Sequence, residues 1–177
     1  CVLVRKGREQ GIPVSALPGP CAAITALSAS GLPTDKFIFE GFLPVKVQAR
    51  ESVLSALIDR TFTTVYYEAP RRILDTVTDI QRVLGERQIV VAKELSKTFE
   101  TYVSGSAQDV IDYLNADVAH QKGEFVVMIG PAKVSDQTIP SEAMSLLSVL
   151  CEHMPLKKAA AVVATHYDLK KNALYQA

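Results

Sequence analysis

Thr63 to Ala92 reads TTVYYEAPRRILDTVTDIQRVLGERQIVVA, and its hydrophobic period changes twice. Thr63-Thr-Val-Tyr-Tyr-Glu68 is β-branched and aromatic, the composition of a strand. Pro70 suits the first position of a helix, where its fixed φ is already helical and its missing N–H has no partner to lose. From there Ile73, Leu74, Val77, Ile80 and Leu84 recur on one helical face as far as Gly85. Ile89-Val-Val-Ala92 is apolar at four successive positions, as in a strand covered on both faces. Strand, helix and strand in this order are the repeating unit of α/β folds.

The same alternation extends in both directions. Upstream, Ile12–Leu17 reads as a short apolar strand, and the Pro18-Gly-Pro20 turn leads into a small-residue helix from Cys21 to Ser30 that Gly31 ends. Phe37–Leu43 reads as a strand, and Val53, Leu54, Leu57 and Ile58 give Gln48–Arg60 a helical spacing. Downstream, Thr101–Val103 is a short strand, Ser106 caps a helix from Ala107 to Asn115, and Phe125–Ile129 is the last strand. The expectation is a mixed-sheet α/β sandwich over residues 1–133. Gly130–Pro140 is a polar linker without periodicity. From Ser141 the chain reads as helix, with Met144, Leu147 and Leu150 on one face, so a small helical domain is expected over 134–177. Cys1–Gly11 reads as an amphipathic helix closing on glycine. Without an initiating Met, it points to a fragment whose N-terminal part lies upstream.

With 48% hydrophobic and 21% charged residues, the chain can bury a sizeable core and lacks the signature of disorder. Nineteen Lys plus Arg balance nineteen Asp plus Glu, so a charged partner must be sought in local clusters rather than in a whole-molecule field. The three cysteines form no C-x-x-C pair and have too few histidines near them for a zinc site, so no metal is expected and a reducing cytoplasm fits. His120, His153 and His166 are scattered and read as surface histidines. No apolar run is long enough for a membrane span, and no basic-then-apolar leader occurs. Gly-x-Gly-x-x-Gly, Walker A, His-Glu-x-x-His and Gly-x-Ser-x-Gly motifs are all absent, which argues against the commonest nucleotide-binding, metalloprotease and esterase classes.

Polar groups instead collect where strands end, the place where open α/β sheets bind ligands. The Pro18-Gly-Pro-Cys-Ala-Ala23 turn brings small residues and free backbone N–H groups to a helix N-terminus. Tyr67-Glu-Ala-Pro-Arg-Arg72 ends one strand with a carboxylate and two guanidinium groups. Lys93-Glu-Leu-Ser-Lys97 follows another, and Lys122-Gly-Glu124 precedes the last. Glu68 and Arg72, four apart, are equally able to form a simple ion pair.

The ordered set from Leu17 to Pro33, Phe39-Glu-Gly-Phe-Leu-Pro44, Tyr67-Glu-x-x-x-Arg72, Lys93-Glu-Leu-x-Lys97 with Glu100, Lys122-Gly-Glu124 and Leu156-Lys-Lys-Ala-Ala160 resembles one family closely over nearly the whole chain. It is similar to the small-subunit ribosomal RNA 2′-O-ribose methyltransferase I group of the tetrapyrrole methylase superfamily. That resemblance implies an α/β methyltransferase that binds S-adenosylmethionine between two domains, acts as a homodimer and methylates a cytidine ribose of small-subunit ribosomal RNA. The family's Ser-Asp-Ala-Gly-Thr-Pro and Asp-Pro-Gly segments do not occur here, so half of the cofactor site is expected to be absent and the chain inactive alone. Carried over by position, Pro18, Gly19, Cys21, Ala22, Tyr67, Glu68, Gly123 and Glu124 are the implied cofactor contacts. Glu68, Lys93, Glu94 and Glu100 are the polar candidates for removing the hydroxyl proton.

Four lysines, Lys157, Lys158, Lys170 and Lys171, stand against the single Asp168 in residues 156–177, a net +3 that leaves −3 for the first 155 residues. Together with the spacing of Ala164, Asp168 and Leu174, this reads as a helix-turn-helix. These lysines, with Arg71 and Arg72, are the candidate RNA contacts. A helical cap or dimerisation element is the alternative for the tail. For the whole chain the alternatives are a helix-turn-helix module joined to a ligand-sensing α/β domain, or a tetrapyrrole methyltransferase, which the basic helical tail disfavours.

Overall fold

The computed structural model describes residues 2–132, 140–167, 169 and 174, and the chain divides into two compact units, Cys1–Ala132 and Lys133–Ala177. In chain order the first unit contains α1 (Val2–Glu9), α2 (Ala22–Ser28), β1 (Phe37–Phe42), α3 (Val47–Ser55), β2 (Thr63–Glu68), α4 (Ile73–Leu84), β3 (Ile89–Lys93) and β4 (Thr101–Gly105). It closes with α5 (Ala107–Ala116), a 3-10 turn (Val118–Gln121) and β5 (Phe125–Ile129).

The five strands form one sheet in the order β1-β2-β5-β3-β4. β1 pairs with β2 in parallel and every other neighbour is antiparallel, which is the mixed sheet that the alternation of elements leads one to expect. β3 and β5 are buried at every position, so their unbroken apolar composition follows from having a core on each face. Strand alternation divides these residues cleanly. Tyr66, Ile89, Val91, Phe125, Val127 and Ile129 face α3, α4 and α5, where Leu54, Leu57, Ile73, Val77, Ile80, Val110 and Leu114 cover them. Val65, Val90, Ala92, Val126 and Met128 face the other way, against Ala23, Ala26 and Leu27 of the two-turn α2 and against Leu32. One short helix cannot cover a five-stranded face, and the uncovered part becomes the site described below.

Local chemistry explains several boundaries. Ser106 caps α5 as its position indicates, in a reciprocal box with Asp109. The Gly85 φ of 58° ends α4. The expected helical start at Pro70 is corrected: α4 begins at Ile73, because Ala69–Arg72 closes a turn in which the Arg72 amide donates to Ala69 O at 2.9 Å. α3 stops at Ser55 rather than Arg60, and tighter i→i+3 bonds such as Leu57 to Leu54 (2.9 Å) carry the chain onward with Leu57 still buried. Ile12–Leu17 is also corrected, since it forms no strand and leaves Leu17 91% exposed. Apolar composition makes a strand only where a partner strand takes up its N–H and C=O groups, and among the described residues no strand pairs with this segment, whose Ile12 amide turns back to Gly7 O at 2.9 Å.

In the second unit, α6 (Ser141–Cys151) and α7 (Leu156–Tyr167) pack through Ala143, Leu147, Ala159, Ala160, Val163 and Ala164, with Leu174 buried among them. Part of the linker (133–139) and Asp168, Lys170 and Lys171 of the expected helix-turn-helix lie outside the described residues. Among the described residues no helix is long and apolar enough to cross a membrane.

Two polar contacts in the first unit lead to stability measurements. Arg50 of α3, 4% exposed, donates to Asp79 of α4 at 2.5 Å and to the carbonyls of Pro44 and Val45. Asp79→Ala should cost about 3–5 kcal/mol by stranding a buried guanidinium, whereas Arg50→Met combined with Asp79→Leu should recover most of that loss. Urea unfolding of the variants decides this, and equal losses would contradict it. Glu40 accepts from Arg60 at 2.5 Å and from the Tyr66 hydroxyl at 2.7 Å. Burial works against its charge, yet these two donors and the Arg60 charge outweigh it and hold its carboxyl below the usual carboxylate range. A depressed folded-state value means stability that is present above the ordinary pKa and lost as pH falls through the folded one. Glu40→Gln should therefore melt below the parent at neutral pH, with the gap closing below about pH 4.5, as read from melting temperatures across a pH series.

Candidate functional site

The C-terminal ends of β1 and β2 and the start of antiparallel β5 meet at one edge of the sheet, beside the α2 face. A cavity of about 440 Å³ opens there, lined by Ala22 at the start of α2, by Phe42, Tyr67 to Pro70, and by Leu95, Glu124, Phe125 and Val126. Its aromatic wall depends on an irregularity. Phe39 and Phe42 are three residues apart and would face opposite sides of a regular strand. The β1–β2 register shifts between them, at Gly41 with φ 74°, and both rings then meet Tyr67, with centroids 4.7 and 5.8 Å away. The Tyr67 hydroxyl in turn accepts from the Ala23 amide at 3.2 Å and ties β2 to the first turn of α2.

Glu68 is 3% exposed, and donors occupy both of its oxygens. The Ala69 amide donates at 2.8 Å, Thr76 Oγ1 at 2.7 Å and Arg72 Nη2 at 3.2 Å. Arg72 also donates to the Leu43 carbonyl at 2.7 Å. This network fixes the turn after β2 and the loop after β1, which together frame the cavity. The Glu68 carboxylate thus accepts three hydrogen bonds from within the fold, and Arg72, expected among the RNA contacts, is turned inward. Arg71 is exposed.

The remaining candidates separate. Ala22, Tyr67, Glu68 and Glu124 line this cavity, while Lys93, Glu94, Glu100 and Gly123 line a second one of about 560 Å³. Strand parity separates Lys93 from Tyr67: Lys93 shares a face with Ile89 and Val91, whereas Tyr67 packs on the opposite face with Val90 and Ala92. Its Nζ donates to the Ala119 carbonyl at 2.6 Å. Glu94 accepts from the Glu124 amide at 2.9 Å and from Lys97 at 3.1 Å; the amide, aided by Lys97, holds its carboxyl below the ordinary value. Gly123, at φ 107°, leaves room for the Glu94 side chain, which a Cβ would meet at 2.6 Å. Pro18, Gly19 and Cys21 precede α2 as exposed residues and do not line the first cavity. The Ile24 and Ala23 amides and the Tyr67 hydroxyl lower the Cys21 thiol against a weaker effect of burial, though no side-chain cap hydrogen bond forms. Lys157 and Lys158 are exposed in the first turn of α7, which carries no acid. A helix N-terminus disfavours cations, so this placement costs stability and suits an anionic partner.

Sequence reasoning missed the apolar lining residues Phe42, Leu95, Phe125 and Val126, which carry no chemical label. Gly41 between Phe39 and Phe42 is the one local signal, since glycine inside a strand marks a bulge.

A family model for tetrapyrrole (corrin/porphyrin) methylases matches residues 2–111, and one described as the RsmI C-terminal HTH domain matches residues 137–177. Proteins named ribosomal RNA small subunit methyltransferase I are similar along the chain. The one from Vibrio cholerae is 47% identical over 98% of this chain and 61% of its own length, and the one from Haemophilus influenzae 48% identical over 98% and 62%. This chain thus spans about three fifths of the length of these relatives. Among solved structures, a putative diphthine synthase from Entamoeba histolytica shares the fold at a TM-score of 0.52 and 13% identity, covering 76% of this chain and 60% of that one. The sheet, its matched span and the helical module that follows assign the chain to the tetrapyrrole methylase family.

Proposed function

We propose that the chain is part of an S-adenosylmethionine-dependent methyltransferase that modifies the 2′-hydroxyl of a cytidine ribose in small-subunit ribosomal RNA. In this reading the sheet unit contributes one wall of the cofactor site and the helical unit binds RNA. The observation that carries it is the presence, in one chain, of a tetrapyrrole methylase sheet and the helical module matched to its C-terminal side. The relatives' shared name supplies the substrate class. The enzyme works in the cytoplasm as a homodimer, for which the exposed Phe37, Phe39 and Phe42 of edge strand β1 offer an apolar surface.

The first cavity fits such a cofactor. Ala22 is small enough for close approach, Tyr67 offers an aromatic face, Leu95 and Val126 exclude water, and Glu124 supplies an acceptor carboxylate. When bound, S-adenosylmethionine supplies an electrophilic methyl group. The chain's own contribution is positional: Glu68 and Arg72 hold the loops around the cavity so that a ribose hydroxyl can be presented in line. Lys157, Lys158, Lys170 and Lys171, together with exposed Arg71, meet phosphates.

The intact enzyme should protect one phosphodiester of small-subunit ribosomal RNA from alkaline cleavage, the signature of a blocked 2′-oxygen; methylation found on a base instead would refute the reading. Ala22→Leu in the intact enzyme should weaken cofactor affinity roughly tenfold by overfilling the cavity wall. Because Ala22 is exposed at a helix start, the melting temperature should hardly move. Calorimetric titration and thermal melts separate this from a packing role, which would show the opposite pattern. Changing all four tail lysines to Gln should weaken RNA binding and flatten the slope of log affinity against log salt by about 0.7 for each phosphate no longer neutralised. An unchanged slope would leave the tail as a dimerisation cap.

A further inference from the structure

The second cavity has an unusual rim. Phe99, on the loop joining β3 to β4, is 75% exposed at its mouth. The loop that displays this ring is strained and tightly tied. Glu94 and Ser96 adopt left-handed backbone at φ 53° and 60° without being glycines, a conformation that persists only where surrounding contacts impose it. Those contacts are the Ser96 amide to Glu100 Oε2 at 2.5 Å, the Lys97 amide to Glu94 O at 3.0 Å, and Lys97 Nζ bridging Glu94 (3.1 Å) and Glu124 (3.2 Å). A phenyl ring held in water by a strained loop is a surface built for contact.

Inside the cavity, donors and acceptors are interleaved. Lys93, 9% exposed, spends one N–H on Ala119 O and keeps two. His120 stacks on Tyr113 with centroids 4.0 Å apart and planes 5° from parallel. Its Nδ1 donates to the Tyr113 carbonyl at 2.7 Å, which leaves Nε2 for another partner. Glu100 and Asp117 add carboxylates, and Lys122 lies at the edge. With Glu94, three carboxylates line the cavity and make it a poor phosphate site, but an aromatic face beside mixed donors and acceptors suits the face and edge of a nucleobase. The cavity also shares a wall with the cofactor cavity. Glu94 and Gly123 line this side, and their chain neighbours Leu95 and Glu124 line the other.

We propose that this second cavity is a base-binding subsite for an unpaired nucleotide of the RNA substrate, with Phe99 as its stacking platform and Glu100, Asp117, His120 and Lys93 facing the base edge. The inference rests on the RNA-methylating reading above and assigns Lys93, Glu94 and Glu100 to substrate placement rather than to proton removal.

The chain contains no tryptophan, so Phe99→Trp installs a single tryptophan reporter at the platform, excited apart from the tyrosines. Titrating this variant of the 177-residue chain with a short single-stranded, cytidine-containing oligoribonucleotide should quench its emission saturably. An abasic ribose-phosphate oligomer of equal length should not. Phe99→Ala should weaken affinity for the oligoribonucleotide roughly tenfold by fluorescence anisotropy, with Trp at the same position restoring it. The melting temperature, which a structural role would lower, should stay at the parent value because the ring is exposed. If the parent chain binds the oligomer while Phe99→Trp emission does not respond and Phe99→Ala binds equally well, the subsite is refuted and the RNA reading stands. If the parent chain does not bind, the subsite is refuted, and the RNA reading is decided by the ribose protection measured on the intact enzyme. Equal quenching by the abasic oligomer, or a blue shift that grows with protein concentration and needs no RNA, would refute base stacking in favour of phosphate contact or a protein interface.

Discussion

A buried carboxylate at the end of a strand has to find donors, and Glu68 finds three. Much of the site follows from that requirement. The Ala69 amide folds the chain sharply after β2, Thr76 docks α4 beneath the turn, and Arg72 carries the constraint across to the Leu43 carbonyl. Arg50, anchored on Asp79, holds the next carbonyls of that same loop, Pro44 and Val45. Two arginines thus converge on one loop, one from α3 and one from the turn before α4. The loop after β1 has no regular secondary structure, yet three of its carbonyls, Leu43, Pro44 and Val45, are held by these arginines. Removing a single member of such a network leaves buried polar groups without partners, which costs more than the bonds themselves.

The crevice arises from unequal covering. Three helices lie on one face of the sheet, while α2 spans only two turns on the other. Apolar strand residues beyond its reach stay partly open, and they form an aromatic wall instead of a sealed core. The same shortage of cover that exposes Phe39 and Phe42 supplies the cavity with a lining suited to a flat ring.

Much of the architecture was legible in the residues, and the illegible parts share a cause. Ile89–Ala92 and Phe125–Ile129 announced themselves because a strand with a core on both faces has no polar position. Ile12–Leu17 is mostly apolar too but pairs with no described strand, and composition alone cannot report whether a partner is present. For Glu68 and Arg72, spacing offered an ion pair and a functional cluster as equals; the ion pair forms at 3.2 Å with the carboxylate side chain fully enclosed. Lys93 looked like a neighbour of Tyr67 and Glu68 because all three stand at strand ends. Its side of the sheet is a matter of parity and register, which separates it from Tyr67 and turns it toward the 3-10 turn. Gly41 hides the alignment of Phe39 with Phe42 from any reading that assumes regular alternation.

The partition between the two cavities is stiff at one point and soft at another. Glu94 grips the Glu124 amide from within the fold, with Gly123 pressed so close that the carboxylate has little room to swing. Lys97 spans the outer side of the same partition, half exposed, where ion pairs are screened by solvent and weaken with salt. Compliance is therefore graded across a few residues: ionic strength can loosen the outer edge while the backbone-gripped edge keeps its shape. A molecule leaning on one side of this partition would be felt on the other chiefly through the Lys97 side, making the mechanical conversation between the cavities a function of the surrounding electrolyte.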